Sequence, residues 1–174
     1  MLRLWIPAIV QALCLSSLSF AQDRPWQVCL DDDAGLNAPA RASFNKEFAL
    51  LLASRGLKFD WSNCDETRGR IIQLTVKPDA PRPLHDVLGR AYIAGNSVSP
   101  QLEVFLDPVM DLMKDVHCWS IIGRALARVA AHEVGHFADQ RAAHAERGLM
   151  RAGFTGSDLS SSDSSLFYWR SGGD

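Results

Sequence analysis

The chain has 174 residues, 47% of them hydrophobic, which suits one domain and leaves no room for a second core of useful size. With 18 Lys and Arg against 20 Asp and Glu, its net charge of -2 argues against a strongly basic nucleic-acid-binding protein. At 22% charged residues it is also too apolar for a disordered tail.

The first element is a leader. Arg3 precedes an apolar run over residues 4–18, and Ser19-Phe20-Ala21 then supplies small residues where a signal peptidase needs them. This pattern predicts a signal peptide over residues 1–21, cleaved near Ala21-Gln22, and a secreted or periplasmic domain over residues 22–174 with no membrane contact after cleavage. A spanning anchor is the alternative reading; Pro7, Gln11 and a run of serines interrupt it, and no basic cluster follows. The bulky Leu13 before Cys14 argues against a lipoprotein signal. Only a short segment separates the cleavage site from the first strand, so no inhibitory pro-segment is expected and the domain should be active on export.

Residues 26–30 read as a first strand, closed by Asp31-Asp32-Asp33. Residues 40–54 carry Phe44, Phe48, Leu51 and Leu52 at helical spacing, and Arg55-Gly56 ends that helix. Residues 57–61 and 70–76 are the second and third strands, and Pro78, Pro81 and Pro83 force an irregular connection. Residues 89–94 and 102–106 are the fourth and fifth strands around a Gly-Asn-Ser turn, and Pro108 opens a short helix through Lys114. Export leaves Cys29, Cys64 and Cys118 in an oxidising compartment. Cys29 and Cys64 are the preferred pair, each at a predicted strand end; two buried free thiols are the alternative.

The strongest helix runs from Ser120, its expected cap, to about Ala138. Ile122, Leu126, Val129, Glu133 and His136 follow one face; Arg124 and Arg128 fall on another and are expected to be solvated. Past it the only biased segment is Ser-rich, residues 158–165, and Phe167-Tyr168-Trp169 is expected to pack the tail back onto the domain. The order strand, helix, several strands, long helix predicts a small α+β domain. Trp26, Trp61 and Trp119 read as core or sheet-end aromatics.

Chemistry is carried by His132-Glu133-Val134-Gly135-His136, an H-E-x-x-H motif on that helix. Four-residue spacing sets both imidazoles on one face, one turn apart, where they can hold one Zn²⁺. Glu133 lies beside them, placed to act as general base toward a zinc-activated water. A catalytic zinc needs a third ligand. His144 is the first choice, with Asp139 and Glu146 as rivals. For His144 to reach the metal the chain must break between Phe137 and Ala143, where no glycine or proline stands. His85, His117 and Cys118 are given surface or packing roles.

This run, followed by His144 and then Gly148-Leu149-Met150, resembles the metzincin metallopeptidases, whose pattern is H-E-x-x-H-x-x-G-x-x-H followed by a methionine turn. The gap from His136 to His144 is longer here, and the intervening glycine is missing. In this it is similar to small exported, uncharacterised bacterial proteins with a metzincin-like domain, as is Trp61-Ser62-Asn63-Cys64. The resemblance implies a single small metzincin-like domain, a twisted mixed sheet packed on the active-site helix. It implies His132, His136 and His144 as zinc ligands, Glu133 as base and Met150 as the floor beneath the metal. It also implies an edge strand that pairs with an extended peptide, here expected at residues 101–106. Arg151 and Tyr168 are candidates for oxyanion stabilisation, though structural roles suit both. The expected function is that of a secreted, monomeric zinc metalloendopeptidase acting on a peptide or protein substrate. The alternative is an exported zinc-binding or peptide-binding module with little turnover.

Overall fold

The computed structural model describes residues 25–65, 71–84 and 86–169. The expected signal peptide, the first residue of the expected third strand and His85 lie outside them. The order of elements is β1 (Trp26–Asp32), α1 (Ala38–Ser54), β2 (Phe59–Ser62), β3 (Ile71–Lys77), β4 (Gly89–Ala94), β5 (Ser97–Phe105), α2 (Leu106–Leu112), α3 (Trp119–Asp139) and α4 (Gly156–Ser160). A 3₁₀ turn over Ser164–Phe167 follows. The domain is therefore α+β, with helices packed on a five-stranded mixed sheet. Among the described residues no helix is long and apolar enough to cross a membrane.

The sheet order is β2-β1-β3-β5-β4; only β4 runs antiparallel to its neighbour. Val28, Leu74, Val76, Leu102 and Val104 are fully or almost fully buried and face α1 and α3, whose Phe44, Phe48, Leu52 and Leu126 close the core. Asn37 caps α1 by accepting from the Ala40 N–H at 3.0 Å, with Pro39 fitting the first turn. Cys29 and Cys64 form a disulfide. The β1–β2 register sets Cys29 against Ser62, which brings the chain just past β2 alongside it. Trp26 packs edge-on to Phe137, Trp61 stacks on Phe48 at the sheet end, and Trp119 is 39% exposed.

Three expectations are corrected. Residues 101–106 are not the sheet edge: 101–105 lie in β5, between β3 and β4, and Leu106 opens α2. The Gly95-Asn96 turn sets β4 along the outer side of β5, so β4 is the edge strand at that end of the sheet and β2 at the other. Ser120 does not cap α3: Cys118 holds the cap position, two residues earlier, and the Ser120 hydroxyl meets the Cys118 sulfur at 3.1 Å.

The third concerns the arginines, which are not solvated. Arg128 is fully buried; its Nε donates to Glu47 at 2.8 Å and its Nη1 to the carbonyls of Asp158, Leu159 and Ser161 at 2.9–3.0 Å. Arg124 donates to the Ser160 carbonyl at 2.6 Å. The reason is the end of α4, which abuts α3: the Ser161 N–H reaches only Ser157 and Asp158, and the two arginines supply donors to the carbonyls of Asp158, Leu159, Ser160 and Ser161. The tail packs inward through Phe167 and Trp169, while Tyr168 is exposed.

The β4 edge is held by Glu103 of β5, which binds Lys77 at 2.7 Å and Arg90 through both Nε and Nη2. Burial pushes the Glu103 carboxyl up, but hydrogen bonds from Lys77, Arg90 and Tyr92 outweigh it and hold it below its ordinary 4.5. Its folded value is depressed, so it adds stability above the ordinary value that is lost as pH falls through the folded one. Glu103→Gln is expected to flatten the acid limb of stability, measured as urea midpoints from about pH 7 to about pH 3. An acid limb as steep as that of the parent chain would contradict this role.

Candidate metal centre

The helical period of α3 sets His132 and His136 one turn apart, both buried, with Glu133 at 6% exposure beside them. His132 Nδ1 lies 2.7 Å from the Leu149 carbonyl and His136 Nδ1 lies 2.8 Å from the Arg141 carbonyl. A carbonyl oxygen only accepts, so each Nδ1 carries the proton and each Nε2 offers a lone pair. The two Nε2 atoms stand 3.1 Å apart. Two acceptors thus face each other without a proton between them, an arrangement that a cation satisfies.

Helix α3 stops at Asp139 because Gln140 takes the left-handed conformation (φ 48°, ψ 43°). The Arg141 N–H closes back on the His136 carbonyl at 3.2 Å, and the chain runs back to place His144 beside the helical pair. Its ring centre lies 5.2 Å from that of His132 and 4.9 Å from that of His136. One ring nitrogen from each of the three histidines falls within 4.8 Å of the others, so the group could hold a metal ion. Among the described residues no second group of three His, Cys, Asp or Glu ligand atoms gathers this way.

The rivals for third ligand are placed elsewhere. Asp139 pairs with Arg55 at 3.1 Å and accepts from the Trp169 indole, and Glu146 is exposed on the loop after His144. His117 and Cys118 are exposed before α3 and take no part in the group.

The loop beyond His144 turns at Gly148 (φ 78°) and is pinned by Ala145 N–H to the Met150 carbonyl at 2.7 Å and Leu149 N–H to the Tyr168 carbonyl at 3.2 Å. Met150 packs under the helix at Gly135, where an added Cβ would overlap its sulfur and lie 2.9 Å from its methyl carbon. Gly135→Ala therefore requires the flexible end of Met150 to move, and that displacement is expected to offset the roughly 1 kcal/mol of helix propensity that alanine gains over glycine. Met150→Ala, which removes the obstructing atoms, should make the second substitution more favourable in the double variant; additive changes in denaturant midpoint would refute the contact.

Burial depresses the His132 imidazole to about 4, and it lowers His136 as well. Both are thus neutral near pH 7, the form in which imidazole binds a metal. Burial pushes the Glu133 carboxyl up to about 8, opposed by a hydrogen bond from the Ala91 backbone. A divalent cation beside it would favour the carboxylate and draw that value down.

These residues open on a cleft of about 960 Å³ bounded by β4, α2 and residues 151–154, with Leu88, Arg90, Ile93, Leu112 and Phe154 on its walls. Glycine at position 89 lets β4 lie close over the site, since a Cβ there would fall 2.8 Å from Glu133 Oε1 and 2.7 Å from Val129. Arg151 lines the cleft but pairs with Asp158 at 2.7 Å and packs over the Phe154 ring. Tyr168, at 62% exposure, is not on the cleft wall. No protein-family model matches the chain, and no curated protein matches it.

Proposed function

We propose that this chain is a zinc metallopeptidase of the metzincin-like kind, exported by cleavage near Ala21-Gln22 and acting as a monomer on peptides or proteins. The observation that carries this reading is the convergence of His132, His136 and His144 beside a buried, non-ligating Glu133 on an open cleft. Three imidazoles without a carboxylate suit Zn²⁺ rather than Mg²⁺ or Ca²⁺. Bound there, Zn²⁺ supplies Lewis acidity, polarising a substrate carbonyl and acidifying water near neutral pH.

The chain's own residues do the rest. The Leu149 and Arg141 carbonyls fix the tautomer and orientation of His132 and His136. Glu133 takes the proton of the attacking water and passes it to the leaving amine. The free edge of β4 lines the cleft and offers backbone groups to an extended peptide, while Met150 packs beneath α3 at Gly135, next to His136 in the chain. The test is incubation of the purified chain with a diverse peptide library, with and without a zinc chelator. Cleavage that the chelator stops and added Zn²⁺ restores is the expected result. Stoichiometric zinc with no cleavage of any library member would replace this reading with that of a zinc-binding module.

A further inference from the structure

The turn that delivers His144 is made by a residue poorly suited to it. A left-handed backbone is unfavourable for any residue with a Cβ, and glutamine is not among the exceptions. At Gln140 the side chain compensates. Its Oε1 accepts from the Val98 N–H at 2.9 Å, while its Nε2 donates to the Phe137 carbonyl at 2.7 Å and the Val98 carbonyl at 3.3 Å. The amide thus pairs with the Val98 backbone much as a neighbouring strand would, 42 residues away in sequence. Val98 is a buried residue of β5 that sits opposite Ile93 of β4, and Ile93 is on the cleft wall.

We infer that Gln140 is the positioning residue for the third histidine, and that its amide locks the loop carrying His144 to the strand pair bordering the cleft. This rests on the metal-site reading above. A glycine at the same point would make the turn without strain but would leave the loop untied to β5. The glutamine therefore does two things, reversing the chain and registering the metal loop against the edge that would receive substrate.

Three variants separate these roles: Gln140→Ala removes the amide and keeps the strain, Gln140→Gly removes both, and Gln140→Asn retains a shorter amide. In competition with a chelator, Gln140→Ala should bind Zn²⁺ about 10–100-fold more weakly, the range for loss of a group that orients ligands. Gln140→Gly should remain well below the parent chain, and Gln140→Asn should recover part of the loss. The visible absorption of the Co²⁺-loaded chain should weaken in the same order, a signal that thermal destabilisation alone does not change. Parent-like affinity and Co²⁺ absorption in Gln140→Gly would overturn the proposal, because the turn alone would then suffice. Amide exchange in the metal-free chain gives an independent reading: Gln140→Ala should accelerate Val98 and Ala145 together, and unchanged Ala145 would also overturn it. A parent chain that binds no Zn²⁺ would sink the metal reading itself, and the exchange data would still decide whether Gln140 fixes the loop.

Discussion

Replacement of Glu133 by alanine is expected to reduce peptide hydrolysis by about 10²–10⁴-fold, the range for loss of a general acid–base group. Metal content should stay at the level of the parent chain, because the ligand atoms belong to the three histidines. Fold stability should not fall by much, because the carboxyl is buried and pushed up to about 8, so the folded metal-free chain holds it neutral at pH 7 at some cost. Glu133→Gln is the closer isostere: its amide oxygen can still accept from the Ala91 backbone while providing no base. Rates on a cleaved library peptide, with metal measured on the same samples, check both variants. Full activity in either one would remove Glu133 from the mechanism, and loss of metal together with activity would assign it a structural role.

The largest effect on stability is expected at Arg128. Arg128→Ala should cost about 3–5 kcal/mol, since removing one partner of a buried pair leaves the other uncompensated. Among the described residues Glu47, at 6% exposure, would keep the Ser164 hydroxyl alone, at 3.0 Å and 3.1 Å from its two oxygens. The carbonyls of Asp158, Leu159 and Ser161 would lose a shared donor, and the Phe167 ring would lose the guanidinium stacked 4.2 Å from its centre. Arg128→Lys should recover only part, because an ammonium cannot reproduce the planar fork that serves Glu47 and the carbonyls at once. Urea midpoints read the loss directly. A cost below about 1 kcal/mol would mean that the C-terminal segment is held by apolar packing alone. The segment matters to the site because Tyr168 anchors Leu149, whose carbonyl orients His132.

Local features of this chain were legible in its sequence to the extent that they are local. The long helix and the placement of His132, Glu133 and His136 follow from periodicity and spacing, and α3 carries all three as that spacing requires. The strands at 26–32, 59–62, 71–77 and 89–94 lie close to where alternation put them. Which strand forms the edge was not legible, because alternation describes faces and says nothing about lateral neighbours. The pairing of β4 along the outer side of β5 decides it.

The remaining misses share one cause: each residue's role is set by a group distant in the chain. Arg128 looks like an exposed helix residue until the carbonyls around α4 arrive some thirty residues later. Gln140 looks like an ordinary polar residue in the expected break until Val98 is set against it. Gly135 sits inside the motif, yet its need for a missing side chain appears only when Met150 is packed beneath it. Chain reversal with no glycine or proline between Phe137 and Ala143 was the least readable step, since the stabilising contact is tertiary.

Zinc K-edge X-ray absorption combined with metal analysis of the purified chain is the most direct test of the site. One zinc per chain is expected, ligated by three imidazole nitrogens, with one imidazole lost in His144→Ala. A chain with no stoichiometric metal, or a spectrum that His144→Ala leaves unchanged, would contradict the three-histidine centre.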